Sequence, residues 1–477
     1  MDAMDKDRQE ARPLVSALTQ LKGRVSFHMP GHRRGLDLPE SPDGCLSFLD
    51  TTELERSGDL AAPDGHVQEA YRLASDFFGA GQSWIITSGT TTSIHIMLAS
   101  LLREGDQIIM PRAVHMAAVH AVAVLGLEPL FPKPEEGSSF EDGQPTAEAF
   151  IRAIRQYPGA KACYVTCPDY FGRTLDLAAV AREAQAAGLA LLVDEAHGAH
   201  YAAAPDLLPP TALSQGAAMV CQSAHKTLPA LTPASFLHLS REAMDRGLVD
   251  PDRVAAMVSV FQTSSPSFLI AASADAARSA AAVRGRQAME ELTDRNRWLC
   301  DQLPPFYQRL LPPGADPSRL VLDYSASGRD RRFLGRHLDG AGIDAELIDW
   351  TRAVFIAGFD QPEEDYQRLL EALCSLEPQA DTDLFEETRA RNRTLSAERD
   401  RLLSQAAAFA IAPRQTLFGR QTIQKLARQA LVPYPPGLPI LWPGEVIQED
   451  HRHFLRELEA EGIVIRGISS LLSGGLS

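Results

Sequence analysis

Between residues 84 and 239 the chain repeats one pattern: a short apolar run, usually followed by a helical stretch, then another apolar run. The runs are WIIT (84–87), QIIM (107–110), PLF (129–131), CYVT (163–166), LALLVD (189–194), AAMVCQ (217–222) and SFLHL (235–239). Helical spacing fills 90–102, 114–125, 146–156 and 177–187, and HVQEAYRLASDFFGA (66–80) reads as a helix ahead of the first run. Runs this short and this apolar are strands buried on both faces, and their alternation with helices predicts a largely parallel sheet covered on both sides. The fold class is therefore α/β, with a seven-stranded, mostly parallel sheet. Ligands of such sheets lie outside the carboxyl ends of the strands, so the residues just after each run carry the functional question.

The flanks have a different texture. Residues 1–65 form an irregular N-terminal segment in which Leu14, Leu18 and Leu21 share one helical face and a Pro/Gly-dense stretch follows. The block 66–285 is the large domain. RQAMEELTDRNRWLCDQL (286–303) reads as a helical connector into a small α/β domain, 286–377, with strands RLVLDY (319–324) and AVFIAGF (353–359). The charged stretch DTDLFEETRARNR (381–393) is expected to be exposed, near the boundary with a C-terminal α+β domain, 378–477. That domain holds the rigid VPYPPGLPILWPGE (432–445), a helical pattern over 450–460 and the strand GIVIRG (462–467).

Charge excludes one class of function. With 46 Lys+Arg against 62 Asp+Glu the formal net charge is −16, whereas a general nucleic-acid binder carries a basic footprint. No run of about 18 apolar residues predicts a membrane span, and MDAMDKDRQEARP (1–13) lacks the apolar centre of a secretory signal. Six cysteines without a C-x-x-C pair point to a reducing cytoplasm, with no disulfide framework and no zinc site.

Four strand-end features carry chemistry. SAHK (223–226) puts Lys226 just past a buried strand; lysine is rarely buried unless paired or reactive, and one role for it is a Schiff base with a carbonyl cofactor. Asp194 ends LALLVD, and pyridoxal 5'-phosphate needs both a lysine for its aldehyde and an acid for its pyridinium nitrogen. Ala196 is small enough for a flat ring to lie against. TSGTTTS (87–93) places backbone N–H groups and hydroxyls at a helix start, an anion site for the cofactor phosphate in which Gly89 permits close approach. His115, after QIIM, can stack on the ring. Singly, each has a plainer reading: a solvated lysine, a helix cap at Asp194, a capping turn at 87–93, a first-turn histidine. Their placement, each after its own strand, makes them parts of one site. DEAH (194–197) lacks the phosphate loop of a helicase, and Ser223-x-x-Lys226 lacks the partner motifs of the serine β-lactamases. His197-x-x-His200 lacks a third metal ligand, so no metal is expected.

Taken together, FHMPGHRRG (27–35), FLDTTELERSGDLAAPDGHVQEA (48–70), FFGA (77–80), TSGTTTS, PDYFG (168–172), VDEAHGAH (193–200), SAHKTLPALTPAS (223–235), QTSSPSFLIAASADAAR (262–278) and PYPPGLPILWPGE (433–445) resemble the Orn/Lys/Arg decarboxylases in their shorter bacterial form. The resemblance spans nearly the whole chain. It implies pyridoxal-phosphate fold type I, the aminotransferase-like fold. It further implies that Lys226 carries the cofactor, Asp194 pairs with the ring nitrogen and His115 stacks on the ring. Thr90, Thr91, Ser223 and His225 would hold the phosphate, with Ala196 and His197 around the ring. Thr263, Ser264 and Ser265 would reach the cofactor of a second subunit in a homodimer with shared sites.

The expected activity is decarboxylation of arginine, lysine or ornithine to CO2 and an amine, within polyamine biosynthesis in the cytoplasm. Lys226 or His197 would return a proton to the substrate carbon, and Asp50, Glu53 and Glu445 are candidates for the substrate's distal cation. The chain departs from the family where Ala113, Val114, Met116 and Ala117 surround His115, and at Ile94, His95, Asp169 and Pro233. Those departures leave open another pyridoxal-phosphate enzyme, an aminotransferase or a lyase, or a non-catalytic homologue on the same scaffold.

Overall fold

The computed structural model describes residues 6–22, 24, 27, 29, 49–405, 409–418, 426–434 and 437–467. Most of FHMPGHRRG, Cys45, and Pro435 and Pro436 of the PYPPG motif lie outside them.

All seven apolar runs are strands: β1 (Gln82–Ile86), β2 (Gln107–Ile109), β3 (Glu128–Leu130), β4 (Ala162–Thr166), β5 (Ala190–Asp194), β6 (Met219–Ser223) and β7 (Ser235–Leu239). Their order in the sheet is β1-β7-β6-β5-β4-β2-β3. β2 pairs parallel with β3 and β4, and β5 pairs parallel with β6. β7 runs antiparallel to both of its neighbours, β6 and β1. Every residue of β5, β6 and β7 is buried, which is why these strands are mostly apolar rather than alternating, with Asp194, Gln222, Ser223, Ser235 and His238 as buried polar residues among them.

The chain forms two compact units. One comprises Met1–Leu101 and Ala190–Met289, the other Leu102–Leu189 and Glu290–Ser477. In the first, helix Gly65–Phe78 buries Val67, Ala70, Tyr71, Leu73, Ala74, Phe77 and Phe78, spaced as one apolar helical face. It stops at Gly79 in the left-handed conformation. Leu14, Leu18 and Leu21, expected on one face, are all buried. Helix Gly89–Leu101 follows β1 almost without a loop.

The second unit carries a four-stranded antiparallel sheet of β8 (Gln308–Arg309), β9 (Arg319–Asp323), β10 (Leu347–Ile348) and β11 (Arg352–Ile356), in the order β10-β11-β9-β8. It also holds a two-stranded ribbon of β12 (Val432–Tyr434) and β13 (Val464–Arg466). The charged stretch at 381–393 opens a single long helix, Thr382–Ser404. Its first turns are mostly exposed, while Asn392, Leu395, Arg399, Leu402 and Leu403 are buried further along.

Arg399 belongs to a buried ionic cluster. Asp142, 2% exposed in the turn Glu141–Gly143, accepts hydrogen bonds from Arg173 at 2.7 Å and from Arg352 at 2.8 Å, and pairs with Arg399. Asp349 accepts from Arg352 at 2.9 and 2.6 Å, and Asp169 from Arg173 at 2.6 Å. Burial works to raise the Asp142 carboxyl, but the guanidinium groups of Arg399, Arg352 and Arg173 overcome it and hold the group well below the usual carboxylate range. Asp169, with one arginine against its own burial, is left raised.

A second ion pair closes over the end of β2. Arg112 grips Glu445 in bidentate fashion at 2.5 and 2.6 Å and donates to the Ile440 carbonyl at 2.7 Å. Glu445 also accepts from the Trp442 backbone at 2.7 Å, and the Trp442 indole donates to the Arg112 carbonyl at 3.1 Å. Glu445 was a candidate for a substrate cation. Its carboxylate is instead committed to Arg112, whose planar fork matches both oxygens.

Removing one partner of a buried ion pair strands the other charge, at about 3–5 kcal/mol, whereas removing both is far cheaper. Arg112→Met is therefore expected to lower the urea midpoint strongly, and Arg112→Met with Glu445→Leu to recover much of that loss. Asp142→Asn is expected to cost a similar amount at neutral pH. Because the folded Asp142 titrates below its unfolded value, its contribution is present above about pH 4 and lost as pH falls. The deficit of the variant in urea titrations therefore shrinks below about pH 4.

Candidate active site

Within the first unit, β1, β5 and β6 run in one direction and β7 in the other. The carboxyl ends of β1 and β6 thus meet the amino end of β7: Ser235 stands opposite Ile86 on one side and Ser223 on the other. Hydroxyls join this edge. Ser235 Oγ donates to the Ile86 carbonyl at 3.1 Å and lies 3.2 Å from Ser93 Oγ, while Thr90 Oγ1 lies 2.8 Å from Ser223 Oγ. The Gln262 side chain accepts from the Thr87 N–H at 2.9 Å.

Gly89 starts the helix with φ +84°, and a Cβ there would come within 3.3 Å of Pro233. Both facts favour glycine. They also give Pro233, a departure from the family pattern, a packing role. Thr90 is half-buried and Thr91 exposed. The hydroxyls of Ser88 and Thr227 are buried without a hydrogen-bond partner among the described residues.

Asp194 closes β5 opposite Cys221 of β6. One of its oxygens accepts from the Ala196 N–H at 3.1 Å and lies 3.8 Å from the Cys221 sulfur. Lys226 lies three residues past Ser223, the carboxyl end of β6, on the short helix Ala224–Thr227, with Nζ 3.0 Å from His197 Nε2. Burial pushes the Cys221 thiol up, the nearby Asp194 charge adds to the shift, and Lys226 opposes it. The carboxylate and the amine thus both act on one sulfur. His225 Nδ1 lies 2.9 Å from the Ala234 carbonyl, and burial lowers its pKa, so the neutral ring donates from Nδ1.

The structure therefore gathers Gly89, Thr90, Asp194, Ala196, His197, Ser223, His225 and Lys226 along adjoining strand ends of one unit. Thr263, Ser264 and Ser265 stand on an exposed turn, where Thr263 Oγ1 accepts from the Ser265 N–H at 3.3 Å. His115, in the other unit, caps helix Met116–Leu125 by accepting from the Ala117 N–H at 3.2 Å, and its residue is exposed. Asp50 and Glu53 are half-buried, and one Glu53 oxygen is buried without a partner among the described residues. Asp169 is tied to Arg173, and Ile94 is core. Sequence reasoning assigned no role of their own to Ser93, Ser235 or Gln262, which support this edge through side-chain hydrogen bonds, nor to Arg112, which holds Glu445 in the second unit.

Among the described residues, no group of three or more His, Cys, Asp or Glu could hold a metal ion, and no helix is long and apolar enough to cross a membrane.

The family model for the major domain of the Orn/Lys/Arg decarboxylases matches residues 12–303. The chain is 31% identical over 485 residues to the arginine decarboxylase of Bacillus subtilis (strain 168), covering 96% of each. It is 30% identical to that of Halalkalibacterium halodurans, again covering 96% of each. Its fold is shared with the lysine decarboxylase of Francisella novicida, with a TM-score of 0.78 at 17% identity over 96% of this chain and 79% of that one. Sequence and fold converge: this is a fold type I enzyme, and the chain belongs to the Orn/Lys/Arg decarboxylase family.

Proposed function

We propose that the enzyme decarboxylates arginine, lysine or ornithine with pyridoxal 5'-phosphate held at the strand ends of the first unit. One observation carries the reading. Asp194 and Lys226 extend from the paired strands β5 and β6, with Lys226 Nζ 3.0 Å from an imidazole.

The residues fit that cofactor. A phosphate finds the N–H groups at the start of helix Gly89–Leu101, the Thr90 and Ser223 hydroxyls, and the buried, unpartnered hydroxyls of Ser88 and Thr227 nearby in sequence. A flat ring finds Ala196, which carries no bulk beyond Cβ. When bound, the cofactor supplies an aldehyde for amines and a protonated ring able to take up the electron pair that a departing carboxylate leaves.

The chain's own groups do the rest. Lys226 would hold the cofactor through its aldehyde. Asp194, fixed by the Ala196 N–H, keeps the ring nitrogen protonated. His197 shares a proton with Lys226, and this pair returns one to the substrate carbon once CO2 has left. Thr91 and His225 would serve the phosphate. The half-buried carboxylates of Asp50 and Glu53 are the remaining candidates for the distal cation of a basic substrate. Thr263, Ser264 and Ser265 serve the site of a second copy in a cytoplasmic homodimer. The domains are 1–65, 66–285, 286–377 and 378–477, and the product enters polyamine biosynthesis.

The test is a panel of arginine, lysine and ornithine, each given to protein reconstituted with cofactor and read by CO2 release and product mass. Release from at least one is expected, and release from none overturns the reading. Lys226→Ala is expected to abolish the visible absorbance of lysine-linked cofactor, and an unchanged spectrum removes Lys226 from its role. His197→Asn is expected to lower kcat by about 10²-fold or more with a smaller effect on KM.

A further inference from the structure

The residue after Asp194 is a second carboxylate, and it is almost fully buried. Glu195 is 1% exposed. Its Oε1 accepts from the Ala212 N–H at 2.8 Å and its Oε2 from Gln222 Nε2 at 2.7 Å. Gln222 Oε1 lies 3.1 Å from His238 Nε2, and His238 Nδ1 lies 2.8 Å from Ser83 Oγ. Gln222, His238 and Ser83 are buried as well. The chain of bonds starts at the turn after β5 and crosses β6, β7 and β1 in succession. Its last step joins residues paired in register, Ser83 and His238. Apolar side chains would fill this space at lower desolvation cost, so the network calls for a reason beyond packing.

We propose that Glu195 is a positioning residue for Asp194: the chain Glu195–Gln222–His238–Ser83 ties the turn after β5 to the neighbouring strands and so fixes the carboxylate that faces the cofactor ring. This inference rests on the reading of Asp194 given above. The Glu195 N–H also donates to the Cys221 carbonyl at 2.9 Å, so backbone and side chain anchor the turn to β6 together. Asp194 then has little freedom to turn away from its neighbour Cys221.

The charge state of the network matters to Asp194. Burial pushes the Glu195 carboxyl up to about 8, Asp194 adds to the shift, and the bonds from Gln222 and Ala212 work against it. Burial pushes His238 down to about 3. The titratable groups around Glu195 are Asp194 on β5, Cys221 on β6 and, through Gln222, His238 on β7. Burial thus shifts Glu195 toward its protonated form and His238 toward the neutral ring.

The bonds admit two polarities. With Glu195 ionised, Gln222 donates to it, His238 donates from Nε2, and Ser83 donates to Nδ1. With Glu195 protonated, its hydroxyl donates to Gln222, the amide turns over and donates to His238 Nε2, and Nδ1–H donates to Ser83. The His238 tautomer therefore reports the proton on Glu195.

The experiment measures cofactor affinity by titration in parent, Glu195→Ala and Glu195→Gln, with thermal melting to verify folding. Glu195→Ala is expected to weaken cofactor binding by about tenfold. Glu195→Gln is expected to recover most of it, because Gln222 can turn over to meet the new amide. Nitrogen-15 spectra of the cofactor-free protein are expected to show the His238 tautomer changing as pH rises through about 8 in the parent and fixed in Glu195→Gln. Parent-like affinity in a folded Glu195→Ala, or a pH-dependent His238 tautomer retained in Glu195→Gln, overturns the inference. Should Glu195→Ala fail to fold, Gln222→Met cuts the chain one bond further on and is expected to weaken binding likewise; parent-like affinity there overturns the inference too. Asp194→Ala separates the two levels: if it leaves cofactor affinity and spectrum unchanged, the site assignment itself is wrong.

Discussion

The parallel pairing of β5 with β6 is the constraint on which the site depends. Register sets Asp194 against Cys221, two residues before the end of β6 at Ser223. The lysine three residues further on then leaves the sheet on the same edge as the aspartate. A slip of one residue in that ladder would turn every side chain of one strand to the opposite face. The buried polar groups at these strand ends prevent it, because a slip would part Gln222 from Glu195 and leave both buried without partners. The geometry of this edge is a by-product of core packing.

The rest of that edge is closed by small hydroxyls. Ser93, Ser235, Thr90 and Ser223 form short contacts between the first helix turn and three strand ends. Short side chains lose little entropy when fixed, and they leave room for a ligand that longer polar groups would fill. The second unit solves a different problem. Its irregular turns at 141–143 and 349–352 cannot satisfy themselves through ladders, and arginines at 173, 352 and 399 bind their aspartates instead. The aromatic faces of Phe171 and Trp350 lie under two of those guanidinium groups, at 3.7 and 5.5 Å.

Much of this was legible in the amino-acid sequence, for an identifiable reason. Most strands of the main sheet were visible because burial forces largely apolar runs, whereas β3, exposed to half-buried, was marked only by the short PLF. Lys226 and Asp194 were visible because ionisable residues at the ends of such runs are conspicuous. Helix Met116–Leu125 starts later than the apolar spacing from 114 suggests, because His115 takes the capping position that spacing alone does not mark. Arg112 and Glu445 are 333 residues apart and carry no local signature, so Glu445 read as available for substrate when it is already paired. Glu195 was hidden differently: its letter was plain within DEAH, but only the fold reveals that this carboxylate is sealed away from water.

The reversed direction of β7 has an evolutionary consequence. In an all-parallel sheet, each strand delivers one loop to the ligand side, and that loop leads directly into a covering helix. Here the segment entering β7, residues 228–234, arrives at the ligand side from the opposite sense and lies between two strand ends that bear the functional groups. Insertions or substitutions in that segment can reshape this edge of the sheet while the strands leading to the lysine and aspartate stay where they are. Divergence of specificity within this architecture has a ready place to accumulate there.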